Sequence, residues 1–137
     1  MATQISPMLA VRDGHEAIEF YKAAFGAVEN WRIDGGQHVI CGMSIEGAEF
    51  FFASANPPGT NSPDAAGTTT VRIELFVDDP VAVYERAVAG GATPGGVPRE
   101  RNHPTADGGS FRMIQGGVTD PSGHTWLIGR FLRSDET

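Results

Sequence analysis

The chain has 137 residues, of which 40% are hydrophobic and 20% charged, and its formal net charge is −7 at pH 7. This length suits one domain, and the negative charge disfavours nucleic acid as a partner. No apolar run approaches the roughly 20 residues that span a bilayer, and no signal-peptide pattern opens the chain. Cys41 is the only cysteine, which fits the cytoplasm. We therefore expect a cytoplasmic protein without a membrane partner.

The first elements predicted are a strand and an amphipathic helix. Met8 to Asp13 is predicted to be a strand, with Leu9 and Val11 on one face. Asp13 is placed to cap the following helix, with Glu16 in the position of a capping box, and Gly26 ends it. The helix carries an apolar stripe at helical spacing, formed by Ala17, Phe20, Tyr21, Ala24 and Phe25.

Three more strands are predicted before residue 55. Val28 to Ile33 leads to a turn at Asp34-Gly35-Gly36, and His38 to Ile45 then alternates. Glu46-Gly47 predicts a tight hairpin turn into Glu49 to Ser54. Three consecutive phenylalanines in this last strand are typical of a strand that is covered on both faces.

A linker rich in proline, glycine and asparagine separates two halves of the chain. We expect a first module at residues 1–55, the linker at 56–68 and a second module at 69–137, all within one structural domain. The strand that opens the second module has two faces. One face carries Ile73, Leu75 and Val77, and the other carries Arg72, Glu74 and Phe76.

The second half repeats the order of the first. Asp79 is placed to cap a helix that starts at Pro80, and Gly90-Gly91 ends it. We expect a short strand at 93–97, a long polar loop at 98–109, and a hairpin of strands 111–119 and 124–132. Two copies of strand-helix-strand-strand-strand constitute an internal repeat.

Several motifs in this order resemble the vicinal oxygen chelate superfamily, which includes glyoxalase I, fosfomycin-resistance enzymes, extradiol dioxygenases and bleomycin-resistance proteins. They are Val11-Arg12-Asp13, Ala17 to Tyr21, Phe25-Gly26 and Asp120-Pro121-x-Gly123-His124. Residues 76–88 are similar to the PhnB-like branch. The resemblance implies an α+β fold of two βαβββ modules whose mixed sheets curve around one cavity, with helices on the outer sides. It also implies a homodimer.

The resemblance further implies a divalent metal held at strand positions that correspond to Ser6, Arg72 and Leu127 in this chain. Some members use a further position, which falls on or near Phe52. A serine hydroxyl is a poor ligand, Phe and Leu offer no lone pair, and a guanidinium repels a cation. We therefore expect no metal and no other cofactor. A replacement pair of His38 and Glu74 is conceivable, but a third ligand is not found.

Arg72 and Glu74 lie on one strand face and leave two interpretations open. They form an internal ion pair, or Arg72 binds an anionic group of a ligand. The side chains expected around the cavity form a largely apolar, aromatic small-molecule site. The predicted ligand-binding residues are Met8, Trp31, His38, Phe50, Phe52, Arg72, Glu74, Phe76, Met113 and Leu127.

The remaining candidates favour structural roles. We interpret His15 as a surface residue, His124 as structural and Cys41 as a buried, inert thiol. His103 lies in the predicted polar loop, where a surface role is favoured over a role in a lid.

The function predicted from these residues is binding of a small, partly aromatic molecule, as in antibiotic sequestration by bleomycin-resistance proteins. The alternative is a lyase or isomerase of the same fold, with Glu74 as general base and with or without a divalent metal. A third possibility is a dimeric scaffold with a collapsed cavity.

Overall fold

The first module forms a four-stranded sheet with one long helix. The computed structural model describes residues 1–136 of the chain. The strand order is β1-β4-β3-β2, with β1 parallel to β4 and the other pairs antiparallel. The elements are β1 (Met8–Val11), α1 (Gly14–Phe25), β2 (Val28–Asp34), β3 (Val39–Ile45) and β4 (Ala48–Ser54).

Both ends of α1 follow the predicted capping chemistry. The Asp13 carboxylate accepts a hydrogen bond from the Glu16 backbone N–H at 3.1 Å. Gly26 adopts the left-handed conformation at φ 66°, which glycine reaches without the steric cost of a Cβ. The local sequence therefore determines where this helix begins and ends.

The second module repeats this arrangement with an additional strand. The strand order is β5-β9-β8-β6, and β7 also pairs with β8. β5 is parallel to β9, and the remaining pairs are antiparallel. The elements are β5 (Arg72–Phe76), α3 (Pro80–Ala89), β6 (Thr93–Pro94), β7 (Arg99–Pro104), β8 (Ser110–Thr119) and β9 (Thr125–Phe131).

Two segments differ from the sequence prediction. The expected loop at 98–109 contains β7, and the expected linker contains the short helix α2 (Pro63–Ala66). β6 and β7 lie along the same edge of β8 and are separated by residues 95–98, where Gly95 donates to the Gly117 carbonyl at 2.9 Å. β7 has no apolar face, so its sequence gave no strand signal.

The two modules share one hydrophobic core. Trp126 from β9 packs against Phe50 of β4 and Phe25 of α1, with ring centroids 5.4 and 4.8 Å apart. One face of each sheet therefore points into this core, and the opposite face points away from it. The predicted α+β fold of two βαβββ modules is confirmed. The expectation of one cavity between both sheets is not met within a single chain, because the faces without helices point outward.

No helix within residues 1–136 has the length and apolar character needed to cross a membrane.

Candidate functional site

The face of each sheet that points away from the core is called its open face. On the N-terminal sheet, the strand register places Trp31 opposite Gly42 and Ile33 opposite Ile40 on this face. The Trp31 ring lies over Gly42, where an added Cβ would be 2.2 Å from the indole nitrogen. Trp31 also packs edge-on against Phe51, with ring centroids 5.2 Å apart. The N-terminal open face comprises Met8, Ala10, Trp31, Ile33, Ile40, Gly42, Phe51 and Ala53.

The prediction that Phe50 and Phe52 line a ligand cavity is wrong. Both are buried in the core, with Phe52 fully buried and Phe50 packed against Tyr21 at 5.1 Å between ring centroids. Phe51 occupies the open face instead. The register follows from the two-residue turn at 46–47, which pairs Met43 with Phe50. That turn was the sequence signal that could have assigned the faces correctly.

The C-terminal open face carries a row of aromatic side chains across four strands. Phe76 stacks on Phe131 at 5.2 Å, and Phe131 meets Phe111 edge-on at 5.7 Å. His103 extends the row, with its ring 5.4 Å from that of Phe111. About half of Phe76, Phe131 and Phe111 is exposed, at 51%, 51% and 47%. These four side chains are called the aromatic row, and only Phe76 was predicted as a site residue.

Arg72 and Glu74 lie on the C-terminal open face, as predicted, but not as an ion pair. Glu74 accepts a hydrogen bond from the Gln115 amide at 3.1 Å. Within residues 1–136, neither Arg72 nor Glu74 takes part in a salt bridge. The Arg72 guanidinium is therefore available to a ligand, whereas Glu74 is oriented by Gln115.

The other predicted residues lie on different parts of the two sheets. Leu127 is half-buried and pairs with Glu74 on the neighbouring strand. Met113 is buried, and its Cε atom lies 3.2 Å from the position of a Cβ added at Gly129. His38 is exposed and directly precedes β3 of the other sheet. Because the two open faces point away from one core, one chain does not bring His38 and Glu74 together.

A buried network around Asp120 was not anticipated. The Asp120 carboxylate accepts hydrogen bonds from the Tyr21 hydroxyl at 2.5 Å and the Trp126 indole at 3.0 Å. It also accepts from the backbone N–H groups of Ser122 and His124. Burial, followed by the nearby Asp120 charge, raises the pKa of Tyr21 well above its usual value. This network joins α1 to the β8–β9 turn and is structural.

The remaining candidates have structural environments. His124 Nε2 lies 2.7 Å from the Ala10 carbonyl oxygen, in line with its structural interpretation. His15 is exposed and lies 2.9 Å from Asp34. Burial raises the pKa of the Cys41 thiol to about 11, so the thiolate is scarce at neutral pH. His103 belongs to β7 rather than to a mobile loop.

A cavity of about 550 Å³ lies between the edges of β1 and β5 and beneath the linker. Its lining comes from residues 7–10, residues 61–73 and His124, whose imidazole is already engaged with the Ala10 carbonyl. The free aromatic and charged side chains lie on the open faces, which are therefore the better candidate site. Within the described residues 1–136, no group of three His, Cys, Asp or Glu side chains is arranged to hold a metal.

Comparison with known proteins agrees with this architecture. An uncharacterized protein of Mycobacterium bovis is 33% identical over 135 residues, which cover 94% of this chain and 84% of that protein. TioX from Micromonospora sp. ML1 has the same fold, with a TM-score of 0.69, 22% identity, and coverage of 96% of this chain and 100% of its own. The fosfomycin resistance protein FosX from Listeria monocytogenes matches with a TM-score of 0.59 and 16% identity, over 95% of this chain and 93% of its own.

The family model described as Glyoxalase/Bleomycin resistance protein/Dioxygenase superfamily matches residues 4–128. This match spans both βαβββ modules and nearly all of the described sheets. The chain belongs to the glyoxalase/bleomycin resistance protein/dioxygenase superfamily.

Proposed function

We propose that this protein binds a small, partly aromatic organic molecule on its open faces and holds it without transforming it. The observation that carries this proposal is the concentration of exposed, large apolar side chains on those two faces. Exposed apolar patches of this kind mark binding surfaces rather than ordinary solvent-facing surface. The side chains concerned are Met8, Trp31 and Ile33 on one sheet, and Phe76, Phe111 and Phe131 on the other.

A second copy of the chain completes the site in this proposal. A single open sheet face cannot surround a ligand, whereas small-molecule sites commonly bury most of the ligand surface. Within the described chain, β1 pairs only with β4 and β5 only with β9, so each has a free edge. In a symmetric homodimer, the N-terminal open face of one copy opposes the C-terminal open face of the other, which forms two equivalent clefts.

The residues at the metal positions of the family do not fit a divalent cation. Phe52 lies in the core, and Leu127 and Arg72 present an aliphatic group and a positive charge on the open face. Ser6 offers only a hydroxyl, which is a weak ligand for such ions. We therefore assign no metal-dependent step to this protein, and no catalytic role to Glu74.

Sequestration of an antibiotic is the form of binding that we favour, since the family description includes bleomycin resistance. The likeness to the fosfomycin resistance protein FosX supports only the fold. The class of ligand is inferred from the side chains of the open faces. Placement in the PhnB-like branch and location in the cytoplasm are parts of the same proposal.

A ligand-dependent thermal shift screen with flat aromatic compounds tests the proposal. A molecule that binds only the folded state must raise its melting temperature. We expect compounds that do so to bind Phe131→Ala roughly tenfold more weakly, and Val81→Ala normally, because Val81 is an exposed apolar residue of α3 outside both open faces.

Light scattering and product analysis complete the test. We expect a particle of twice the chain mass and unchanged ligand after prolonged incubation. A monomer at working concentration would rule out the two-copy cleft. Turnover of bound ligand that is lost in Glu74→Gln would instead support the lyase or isomerase alternative.

A further inference from the structure

A small cavity of about 200 Å³ lies on the C-terminal open face, and none of the four side chains of the aromatic row lines it. It is called the arginine pocket, and its side chains come from the three strands β7, β8 and β9. Two of them carry hydroxyl groups, one an amide and one a guanidinium. The side chains of the arginine pocket are Arg101, Gln115, Thr119, Thr125 and Leu127.

The interruption between β6 and β7 makes room for the guanidinium. Arg101 pairs with Met113, and Met113 pairs with Phe131 of the aromatic row. The side chain of Arg101 therefore lies on the open face. Its Nη2 atom lies 3.8 Å from the position of a Cβ added at Gly96. Gly117 forms part of the floor and donates its N–H to the Gly96 carbonyl at 2.9 Å. Gly96, between β6 and β7, and Gly117, in β8, therefore leave space that larger side chains would fill.

The pocket has positive charge without an internal partner. Arg101 is half-buried and forms no salt bridge with residues 1–136. Glu74 lies outside the lining and accepts its hydrogen bond from Gln115 at 3.1 Å. Arg72, opposite Thr125, adds a second cation on the same face. A partly desolvated guanidinium gains most from an oxyanion partner, because burying an unpaired charge is costly.

We propose that Arg101 binds a carboxylate of the ligand, with Thr119 and Thr125 as neighbouring hydroxyl donors, while the ligand's rings lie on the aromatic row. This inference rests on the proposed function and narrows its ligand to an elongated aromatic carboxylate. Leu127 in the pocket and Phe131 in the row are four residues apart on β9, which corresponds to about 13 Å along a strand. A planar guanidinium matches a carboxylate through two parallel hydrogen bonds.

The test compares biphenyl-4-carboxylate with the uncharged biphenyl-4-carboxamide by isothermal titration calorimetry at pH 7.5. We expect the unmodified protein to bind the carboxylate roughly tenfold more tightly, as a charge-assisted hydrogen bond allows. Arg101→Gln should abolish this preference, because it weakens binding of the carboxylate roughly tenfold and that of the carboxamide much less. Arg133→Gln is the matched control, since it removes the same charge from an 80% exposed side chain in the C-terminal tail.

Arg101→Lys keeps the charge but removes the planar fork, so an intermediate preference is expected. If Arg101→Gln does not fold, the reduced preference of Arg101→Lys for the carboxylate tests the inference instead. Equal affinity of the two probes for the unmodified protein would overturn the carboxylate inference and leave the aromatic cleft standing. An equal loss of preference in Arg133→Gln would overturn it too, because net charge alone would then explain the effect. Failure of both probes to bind would count against the cleft and the inference together.

Discussion

At the scale of single residues, the buried Asp120 carboxylate accepts four hydrogen bonds. It receives the Tyr21 hydroxyl from α1 and the Trp126 indole from β9, and it orders its own turn through Ser122 and His124. A buried carboxylate is tolerated when its oxygens accept several hydrogen bonds. The β8–β9 turn is thereby fixed to a helix about 100 positions earlier in the chain.

Tyr21→Phe is expected to lower the free energy of unfolding by about 1–3 kcal/mol, because a buried acceptor loses its donor. Urea denaturation at neutral pH measures this change. Tyr84→Phe is the control, since Tyr84 is similarly buried but takes no part in the Asp120 network. Equal losses in the two variants would show that the hydroxyl at residue 21 has no special role.

The raised pKa of Tyr21 also predicts a pH dependence. The folded state keeps the phenol protonated, so its contribution to stability is complete below the unfolded pKa of about 10 and is lost as pH rises through the folded pKa. We therefore expect stability to fall more steeply above pH 10 in the unmodified protein than in Tyr21→Phe. Parallel curves from denaturation at pH 9 to 11 would contradict this linkage.

Cys41 is expected to be unreactive in the folded protein. Its burial and its pKa of about 11 leave little thiolate at pH 8. Ellman's reagent should therefore label one thiol per chain in urea and almost none without it. Rapid labelling of the folded protein would indicate that β3 opens readily.

The residue-scale results show what one sequence can reveal. The burial of Cys41 and the structural environment of His124 were predicted from strand position alone. The partnership of Tyr21 and Asp120 was not, because hydrogen bonds between distant segments leave no periodic signal. The sequence does not indicate Arg101 as a site residue, because the polar stretch at 98–109 predicts a loop rather than a strand.

At the scale of elements, the helix ends are determined locally. Asp13 and Asp79 each accept a hydrogen bond from the backbone N–H three residues later, at 3.1 Å. The repeated cap is consistent with the repeated module. This agreement explains why the sequence predicted both helices well.

Asp13→Ala and Asp79→Ala are each expected to lower the free energy of unfolding by about 1 kcal/mol, the usual effect of losing an N-cap side chain. Chemical denaturation measures both. Asp135→Ala serves as the control, because Asp135 is 77% exposed in the tail, and a change within about 0.5 kcal/mol is expected there. Cap variants as stable as this control would refute the capping role.

Strands were predicted less completely than helices, for two physical reasons. Phe50, Phe51 and Phe52 show no alternation, so only the pairing set by the 46–47 turn decides which rings face the core. β7 lacks an apolar face and is defined by hydrogen bonds to β8, which composition does not reveal. The open face was therefore assigned correctly on β5 and incorrectly on β4.

At the scale of the whole molecule, close contact between α1 and α3 joins the two modules. A Cβ added at Gly90 would lie 2.8 Å from Ala24 Cα and 2.9 Å from its backbone nitrogen. The sequence indicated Gly90 as a helix end but not as a contact between helices. One core shared by both modules predicts a single cooperative unfolding transition.

Gly90→Ala should force these helices apart and lower the free energy of unfolding by about 1–3 kcal/mol, as overpacking does. Gly59→Ala is the matched control, since the nearest atom to its added Cβ is 3.5 Å away. Urea denaturation followed by fluorescence and circular dichroism gives both the energy and the cooperativity. A Gly90→Ala protein of unchanged stability would show that the helices are free to separate.

The outward direction of the two open faces has a genetic consequence. In the proposed dimer, each cleft is formed by the N-terminal open face of one copy and the C-terminal open face of the other. A dimer of one Trp31→Ala chain and one Phe131→Ala chain therefore has both substitutions in one cleft and neither in the other. Mixing two separately defective variants by co-expression should then restore one intact binding site per dimer. Such complementation between subunits would not occur if each chain bound its ligand alone.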